Sequence, residues 1–432
     1  MKLEKPPFVE LDLEILEKVT STEFLTFLNK TDLRYYYWDE LKYRKNLPLK
    51  TQAENWSLVK THRKLKYQKL SFGKYIFNYY LSSYQLKELH EFDLKLIGGL
   101  KQNPIMPSDR FEYFKSSILQ EAISSSQVEG AATTTEVAKD MLKTGRNPKN
   151  ESEQMIFNNL KAIHFINEFI DQKLDFKFII DLHSIMTLKT EAESCAGDFR
   201  GKEVFVTDHV DGEVAHIPPD YKEVEDLMHE LCDFINNDDE FIHPIVKASI
   251  LHFMIGYIHP FLDGNGRTAR ALFYWYLIKK DYSLIKSISI SKVILESRTQ
   301  YDKAFLKTEN DENDLNYFIN YSIKNLRIAF EKLSQYRDKK TKEREKANSI
   351  AYKLIQKGLN KRQADLLGYF YMKKRNSITL NDYSEKNEVV RQTASKDMKE
   401  LVKIGLINEN KKNKPIRYYL SDKESIESFI NN

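Results

Sequence analysis

Only 14 glycines and 11 prolines punctuate the 432 residues. Between these breakers, apolar residues recur at three- and four-residue spacing, the period of an amphipathic helix. The fold class expected is therefore mainly α. At the usual ~100–200 residues per domain, the length implies two to four domains. Hydrophobic residues make up 41% and charged residues 30%, so cores can be buried and wholesale disorder is excluded. Lys plus Arg number 67 against 63 for Asp plus Glu. So even a balance excludes a histone-like polycation and leaves nucleic-acid contact to a local patch. Two cysteines, Cys195 and Cys232, exclude a disulfide scaffold and a Cys-based zinc finger, and fit a reducing compartment. No apolar run approaches the ~18 residues of a membrane span; the longest, Ala271 to Ile278, has eight. The N-terminus, MKLEKPPFVELDLE, mixes acids into the place where a signal peptide would be apolar. A soluble, cytoplasmic protein with no membrane attachment is expected.

Residues 1–100 read as an N-terminal helical region. Within it, RYYYWDELKYRKN (34–46) interleaves aromatics with basic residues, a pattern that can stack bases. A core-forming segment with Lys stems at its edge is the simpler account. A helix is predicted from Asp109, with Phe111, Phe114, Ile118 and Ala122 on one face and Glu112 completing its start. Further helices are predicted near 151–172, 174–190, 220–236 and 244–258. Between them, Val204 to Thr207 and Val214 to Ile217 read as strands around the turn signal Asp211-Gly212. A long helix marked by Leu315, Ile319, Ile323, Leu326, Phe330 and Leu333 runs into RDKKTKEREK, 337–346, where nine of ten residues are charged. Such a run is a solvated linker helix and sets the domain boundary. It separates a core at 101–336 from a C-terminal domain at 347–432.

The segment from Ile258 through HPFLDGNGRTAR to Ala271 carries the chemistry. Val246, Ile250, Phe253 and Tyr257 before it share a helix face, and Ala269 to Ile278 after it form an apolar, buried helix. It is therefore a loop ending at a helix start. Gly264, Asn265 and Gly266 let backbone N–H groups converge, and a helix N-terminus adds partial positive charge, so the site suits a phosphate. Arg267 and Arg270 are three apart and share a face; two guanidiniums beside an anion nest suit a polyphosphate. Asp263 is a hard oxygen ligand, fit for a magnesium ion that also touches phosphates. His259, at the loop mouth, is placed to take a proton from a hydroxyl.

Rival chemistries suit the same residues less well. GNGRTA matches the dinucleotide fingerprint, but that needs a preceding strand, and a helix stands there. The Lys-Ser/Thr pair of a Walker loop is missing. His252 and His259 lack a third metal ligand at the usual spacing, which makes His252 a core residue. Nine specified residue types in twelve positions fit a mere Gly-rich helix cap poorly.

HPFLDGNGRTAR resembles the signature of the Fic (filamentation induced by cAMP) family, H-P-F-x-D/E-G-N-G-R-x-x-R, at every specified position. The resemblance implies a helical bundle with a small β-hairpin flap, and transfer of AMP from ATP to a protein hydroxyl (AMPylation). It implies His259 as general base for a Ser, Thr or Tyr hydroxyl. Asp263 would hold Mg²⁺ (or Mn²⁺). Gly264, Asn265 and Gly266 would form the anion hole, Arg267 would contact the leaving phosphates, and Arg270 would orient the terminal phosphate. Phe261 would anchor the loop in the core.

The resemblance extends beyond the loop. GDFRGKEVFVTD (197–208) followed by VAHIPP (214–219) looks like the family's flap, so Val204, Phe205, Val206 and Thr207 would receive a target segment by strand addition. SSQVEG (125–130) fits the family's inhibitory motif, S/T-x-x-x-E-G/N, with Ser125 and Glu129 four apart on one face and Gly130 as cap. Glu129 would then pair with Arg270 and keep it from the γ-phosphate. SKVILESRTQYDKAF resembles the helix lining the adenine pocket, which carries over Tyr301.

The C-terminal order predicted is helix 362–373, strand Ile378 to Leu380, helix 381–387, helix 389–405 and two strands across 411–415, the order of a winged helix-turn-helix. Val389 to Arg417 holds eight Lys/Arg and three Asp/Glu, a local +5, which leaves the rest of the +4 chain at −1. Such a basic helix and wing is an electrostatic footprint of duplex binding. Arg391, Gln392, Thr393 and Lys396 would face a groove, and Lys411, Lys412 and Lys414 would reach phosphates. The partners expected are a target protein, DNA through the winged helix, and a second copy as a homodimer. The alternatives are a de-AMPylating or bifunctional enzyme, and a transcription regulator whose nucleotide site serves sensing.

Overall fold

The structure is a computed structural model. It describes all residues except 1–2, 13–14, 16–20, 98–106, 209–211, 373–376, 411–414 and 432, and the backbone alone at 96–97 and 107–113. The chain is mainly helical and divides into two units, Met1–Glu331 and Lys332–Asn432.

The first unit opens with α1 (Thr22–Arg34), α2 (Trp38–Leu41) and α3 (Gln52–Lys64). A hairpin follows, β1 (Gln68–Phe72) against β2 (Tyr75–Tyr79), and then α4 (Ser83–Phe92). The hairpin stands inside the region predicted to be helical. It turns at Gly73, whose φ of +54° is one that side chains disfavour. Tyr35, Tyr37 and Trp38 are buried beside Trp56 and Tyr317, so the aromatics of 34–46 form a core. Only Tyr43 of that run is strongly exposed, at 77%.

The predicted helices appear as α5 (Pro107–Val128), α6 (Thr135–Thr144), α7 (Glu151–Glu168) and α8 (Phe176–Thr187). Strands β3 (Val206–Thr207) and β4 (Val214–His216) pair antiparallel. The first is shorter than predicted: Val204 and Phe205 precede it rather than belong to it. Asp211 of the expected turn lies outside the described residues. Then come α9 (Val224–Asn236), α10 (Pro244–Ile258), α11 (Asn265–Lys279), α12 (Ile290–Glu296), α13 (Arg298–Asn310) and α14 (Asn316–Gln356). Thirteen of the 15 residues of α10 are buried, because a helix apolar on every side belongs at the centre. Helices α10 and α11 pack on each other, α11 also contacts α7 and α8, and α5 lies across α7 and α12.

The charged run at 337–346 falls inside α14, and the units divide earlier, at Glu331/Lys332. The second unit continues with α15 (Lys361–Met372), β5 (Ser377–Thr379), α16 (Leu380–Lys386), α17 (Arg391–Lys403), β6 (Ile407–Asn410), β7 (Arg417–Leu420) and α18 (Lys423–Asn431). Its sheet has the antiparallel order β5-β7-β6. Leu354, Leu367, Phe370, Met398, Leu401, Ile407 and Ile426 form its core. The proposed phosphate-reaching lysines Lys411, Lys412 and Lys414 lie outside the described residues. Among those residues, no helix is long and apolar enough to cross a membrane.

Candidate active site

The loop between α10 and α11 is closed by its own side chains. His259 ends α10 at φ +51°, its N–H donating to the Ile255 carbonyl at 3.0 Å. Gly264 begins α11 at φ +83°, with the His183 ring against the place a Cβ would take. Asn265 then pairs with the backbone of Phe261 in both directions. Its Nδ2 donates to the Phe261 carbonyl at 2.8 Å and its Oδ1 accepts from the Phe261 N–H at 2.9 Å. Both groups are buried, so Asn265→Ala is expected to cost about 2–4 kcal/mol, at roughly 1–3 kcal/mol for each orphaned backbone group, read as a fall in the thermal midpoint. An unchanged midpoint would contradict this account of the loop.

Phe261 is fully buried, as an anchor must be. His183 of α8 stacks on it at 3.7 Å between ring centres and 4° between planes. His183 Nε2 donates to the Asp263 carbonyl at 2.8 Å, and its Nδ1 accepts from the Gly197 N–H. Burial lowers the His183 pKa, which keeps the ring neutral in that tautomer. Arg200, also buried, gathers the other side of the loop. Its Nε donates to the His259 carbonyl at 2.9 Å, its backbone N–H to Pro260 and its Nη2 to Pro219. Sequence reasoning singled out neither His183 nor Arg200, although Arg200 stands in the quoted GDFRGK.

The two motif arginines have different partners. Arg267 is buried, with Nη1 on the Met186 carbonyl at 3.0 Å, Nη2 on Asp263 Oδ2 at 3.1 Å, and Nε without a partner. Arg270 turns to the end of α5. Its Nε donates to Ser125 Oγ at 2.9 Å, its Nη2 to the Ser125 carbonyl at 2.8 Å, and its Nη1 to Glu129 Oε1 at 2.9 Å. The Glu129 carboxylate lies over Gly266, where any Cβ would collide with it. Burial pushes the Glu129 pKa up, but Arg270, Arg298 and Arg267 outweigh it and hold the carboxyl below its ordinary range. Gly130 (φ +96°) ends α5, with the Ala131 N–H returning to Ser126 and the Gly130 N–H to Gln127, a Schellman cap.

A cavity of about 150 Å³ opens over this cluster, lined among others by Glu129, Thr207, His259, Gly266, Tyr301 and Glu309. The first N–H groups of α11, at Asn265, Gly266 and Arg267, have no intrahelical partner. Burial lowers the His259 pKa to about 4, so the imidazole is neutral near pH 7. Its Nδ1 lies 3.4 Å from the Gly256 carbonyl, which favours a proton on Nδ1 and a lone pair on Nε2. The Tyr301 hydroxyl meets His252 Nε2 at 2.9 Å. His252 is a core residue, its pKa lowered to about 3 by burial. Asp263 stands at the mouth with its side chain 57% exposed. Among the described residues no group of three or more His, Cys, Asp or Glu could hold a metal alone.

The flap strand β4 is fastened by His216, which sequence reasoning also passed over. Its Nδ1 lies 2.7 Å from Glu309 Oε2 and its Nε2 lies 2.8 Å from the Tyr257 carbonyl. Both partners are acceptors, so the ring donates twice as an imidazolium. Burial alone would lower its pKa, but the bond to Glu309 wins and the pKa is raised above 6.5. A raised folded pKa gives stability that is full below the unfolded value and is lost as pH rises through the folded one. Amide exchange at 206–207 and 214–216 is therefore expected to quicken as pH climbs above neutrality, beyond the intrinsic pH effect. Glu309→Gln would remove this step, and a flat corrected profile in the unaltered protein would refute it. Outside the strands, Phe205 and Ile217 are 58% and 67% exposed.

Comparison with known proteins locates this constellation. Residues 173–277 match the Fic/DOC family. The chain is 27% identical over 216 residues to a protein adenylyltransferase Fic of Nematostella vectensis, covering 48% of this chain and 46% of the relative. It spans about half the length of the curated relatives it matches. A Fic family protein from Desulfovibrio desulfuricans has a similar structure, with a TM-score of 0.55 and 17% identity over 79% of this chain and 97% of that one. Fic-1 from C. elegans is similar at a TM-score of 0.54 and 18% identity, covering 74% and 86%. At such identities the two structures speak for the fold.

Proposed function

Residues 173–277 form a Fic/DOC domain, and on that premise we propose that the chain is a protein adenylyltransferase moving AMP from ATP to a Ser, Thr or Tyr hydroxyl. One observation carries the proposal: a buried neutral imidazole and the unpartnered first N–H groups of α11 face one cavity. The phosphates of ATP sit at that helix N-terminus, where anions are stabilised. Arg267, with its unpartnered Nε, adds fixed positive charge. A triphosphate beside His259 raises its pKa from about 4 back toward neutrality. His259 Nε2 takes the hydroxyl proton as the oxygen attacks the α-phosphorus. The new O–P bond forms, the bond to the bridging oxygen breaks, and pyrophosphate leaves. Catalysis is then mainly positioning and charge stabilisation. Tyr301 and Phe305 wall the base end of the cavity, and Val206 and Thr207 edge it for a target strand.

One exposed carboxylate, with phosphate and water oxygens, is a donor set that suits Mg²⁺ or Mn²⁺. Asp263 would hold the ion, which when bound supplies charge neutralisation to the phosphates. The same geometry supports self-inhibition. All three donor nitrogens of Arg270 are spent on α5, and the Glu129 carboxylate lies over Gly266, in the space a terminal phosphate needs. Incubating the Glu129→Gly variant with ATP and Mg²⁺ tests transfer and brake together, and a variant that labels nothing would remove the proposal.

For the second unit we propose a winged helix over 347–432 that binds duplex DNA. Ala394, Met398 and Leu401 turn the inner face of α17 into the core, while Arg391, Gln392 and Lys396 are exposed and Thr393 is half-buried. Asp397 is held by Arg362, Asn360 and Tyr383, which fixes the helix that presents them. Binding of the full chain to a DNA duplex is expected to weaken steeply from 50 to 200 mM salt, and Arg391→Ala with Lys396→Ala to flatten the slope by about 2. Absent or salt-insensitive binding would eliminate the idea.

A further inference from the structure

The last turn of α5 is gripped by a second arginine besides Arg270. Arg298 occupies the first position of α13. A cation there is opposed by its own helix dipole, and an Arg four residues before an Asp is the weaker order for a pair within a helix. Its own helix therefore does not account for the placement; α5 does. Arg298 Nη1 donates to the carbonyl of Val128, the last residue of α5. At that end of a helix carbonyls lack partners and cations are favoured. Asp302 takes Arg298 Nε at 3.0 and 3.2 Å on its two oxygens and so sets the direction of the fork. The guanidinium lies 5.8 Å over the Tyr301 ring. The side chain is about a quarter exposed and lines the cavity that Glu129, His259 and Gly266 also line.

We propose that Arg298 is the positioning residue of the brake, holding the Val128 carbonyl so that Glu129, the next residue, stays in register with Arg270. Its place on the cavity wall couples that register to what the cavity contains. An anionic ligand, a nucleoside triphosphate above all, competes with the Val128 carbonyl for the same guanidinium. When the anion wins, the α5 cap loosens and the Glu129–Arg270 pair is weakened from behind. The coupling rests on the proposed nucleotide site; the hold on α5 does not.

Hydrogen exchange in the full chain separates the two. In Arg298→Ala without ligand, the amides of Glu129, Gly130 and Ala131 are expected to exchange roughly tenfold faster, the scale of one charge-assisted hydrogen bond, while the α10 and α11 amides keep their rates. Arg298→Lys, which keeps a cationic donor, is expected to restore most of the protection, and Arg298→Gln serves if the alanine variant is unstable. ATP is expected to speed exchange at the same amides in the unaltered protein and not in Arg298→Ala. With Glu129 present, Arg298→Ala is expected to raise self-labelling from ATP; in a Glu129→Gly background it adds nothing, the non-additivity of residues acting through one contact. Unchanged exchange at 129–131, or an equal rise through the core, would overturn the hold. ATP-induced exchange that persists in Arg298→Ala would overturn the coupling. A Glu129→Gly protein that transfers no label would instead count against the transferase, leaving the exchange result to stand.

Discussion

Glu129→Gly is expected to raise transfer of label from ATP to protein about a hundredfold over the unaltered chain, the scale on which a misplacement of ~1 Å acts. The estimate follows from where Arg270 spends its donors. Ser125 keeps two of them in the variant, and the third, Nη1, loses Glu129 and turns to the terminal phosphate. The Gly266 end of α11 is uncovered by the same change. The ligand-free variant is expected to lose about 1–3 kcal/mol, because Arg270 is left with unmatched charge. ATP should restore more midpoint in the variant than in the parent, since it binds only the folded state. The pH dependence has a definite sign. The Glu129 pKa is depressed in the fold, so the stability of its pair is present above the ordinary carboxyl range and is lost only as pH falls through the folded value. Between pH 6 and 8 the brake should therefore not relax. Labelling by the unaltered chain that rose toward pH 6 would contradict this electrostatic account.

His259→Ala, made in the Glu129→Gly background, is expected to lower labelling by about 10²–10⁴-fold, the usual contribution of a general base, while ATP binding stays within a few-fold. The split follows from the division of labour. Phosphates are held by α11 and Arg267, and the imbalance created by the substitution is confined to the proton. Alanine tolerates φ +51° at about 1 kcal/mol, and the loop is still closed by Asn265, His183 and Arg200. Equal loss of binding and labelling would mean that His259 shapes the loop instead of taking a proton.

The chemistry of the loop was legible because residue type alone dictates it. Two glycines, an asparagine and a histidine between two apolar helices admit few conformations, and the structure has that loop between α10 and α11. What escaped the sequence depends on distant pairings. Asn265, expected to help form the anion hole, uses its side chain on Phe261. Arg267 and Arg270 share a helix face, yet α8 takes one and α5 the other. His183, Arg200, His216 and Arg298 sit in ordinary local patterns and act on carbonyls 19 to 170 residues away. No periodicity reports such contacts. The hairpin at 68–79 did leave a local trace, alternation on either side of Gly73-Lys74, hidden by the helical run around it. The C-terminal elements followed turn signals and apolar spacing, which act locally, and so came close in position. The charged run looked like a boundary because it is solvated, but solvation does not break a helix, and α14 passes through it.

Two ATP samples distinguish the chemistry at its root, one labelled at the α-phosphate and one at the γ-phosphate, each incubated with Glu129→Gly protein, Mg²⁺ and cell extract. Label is expected to reach protein from the α-phosphate alone and to vanish when His259 is also replaced by alanine. Label arriving from the γ-phosphate, or α-label surviving without His259, would contradict the claim that this helix-capped cavity delivers a nucleotide to a hydroxyl deprotonated by His259.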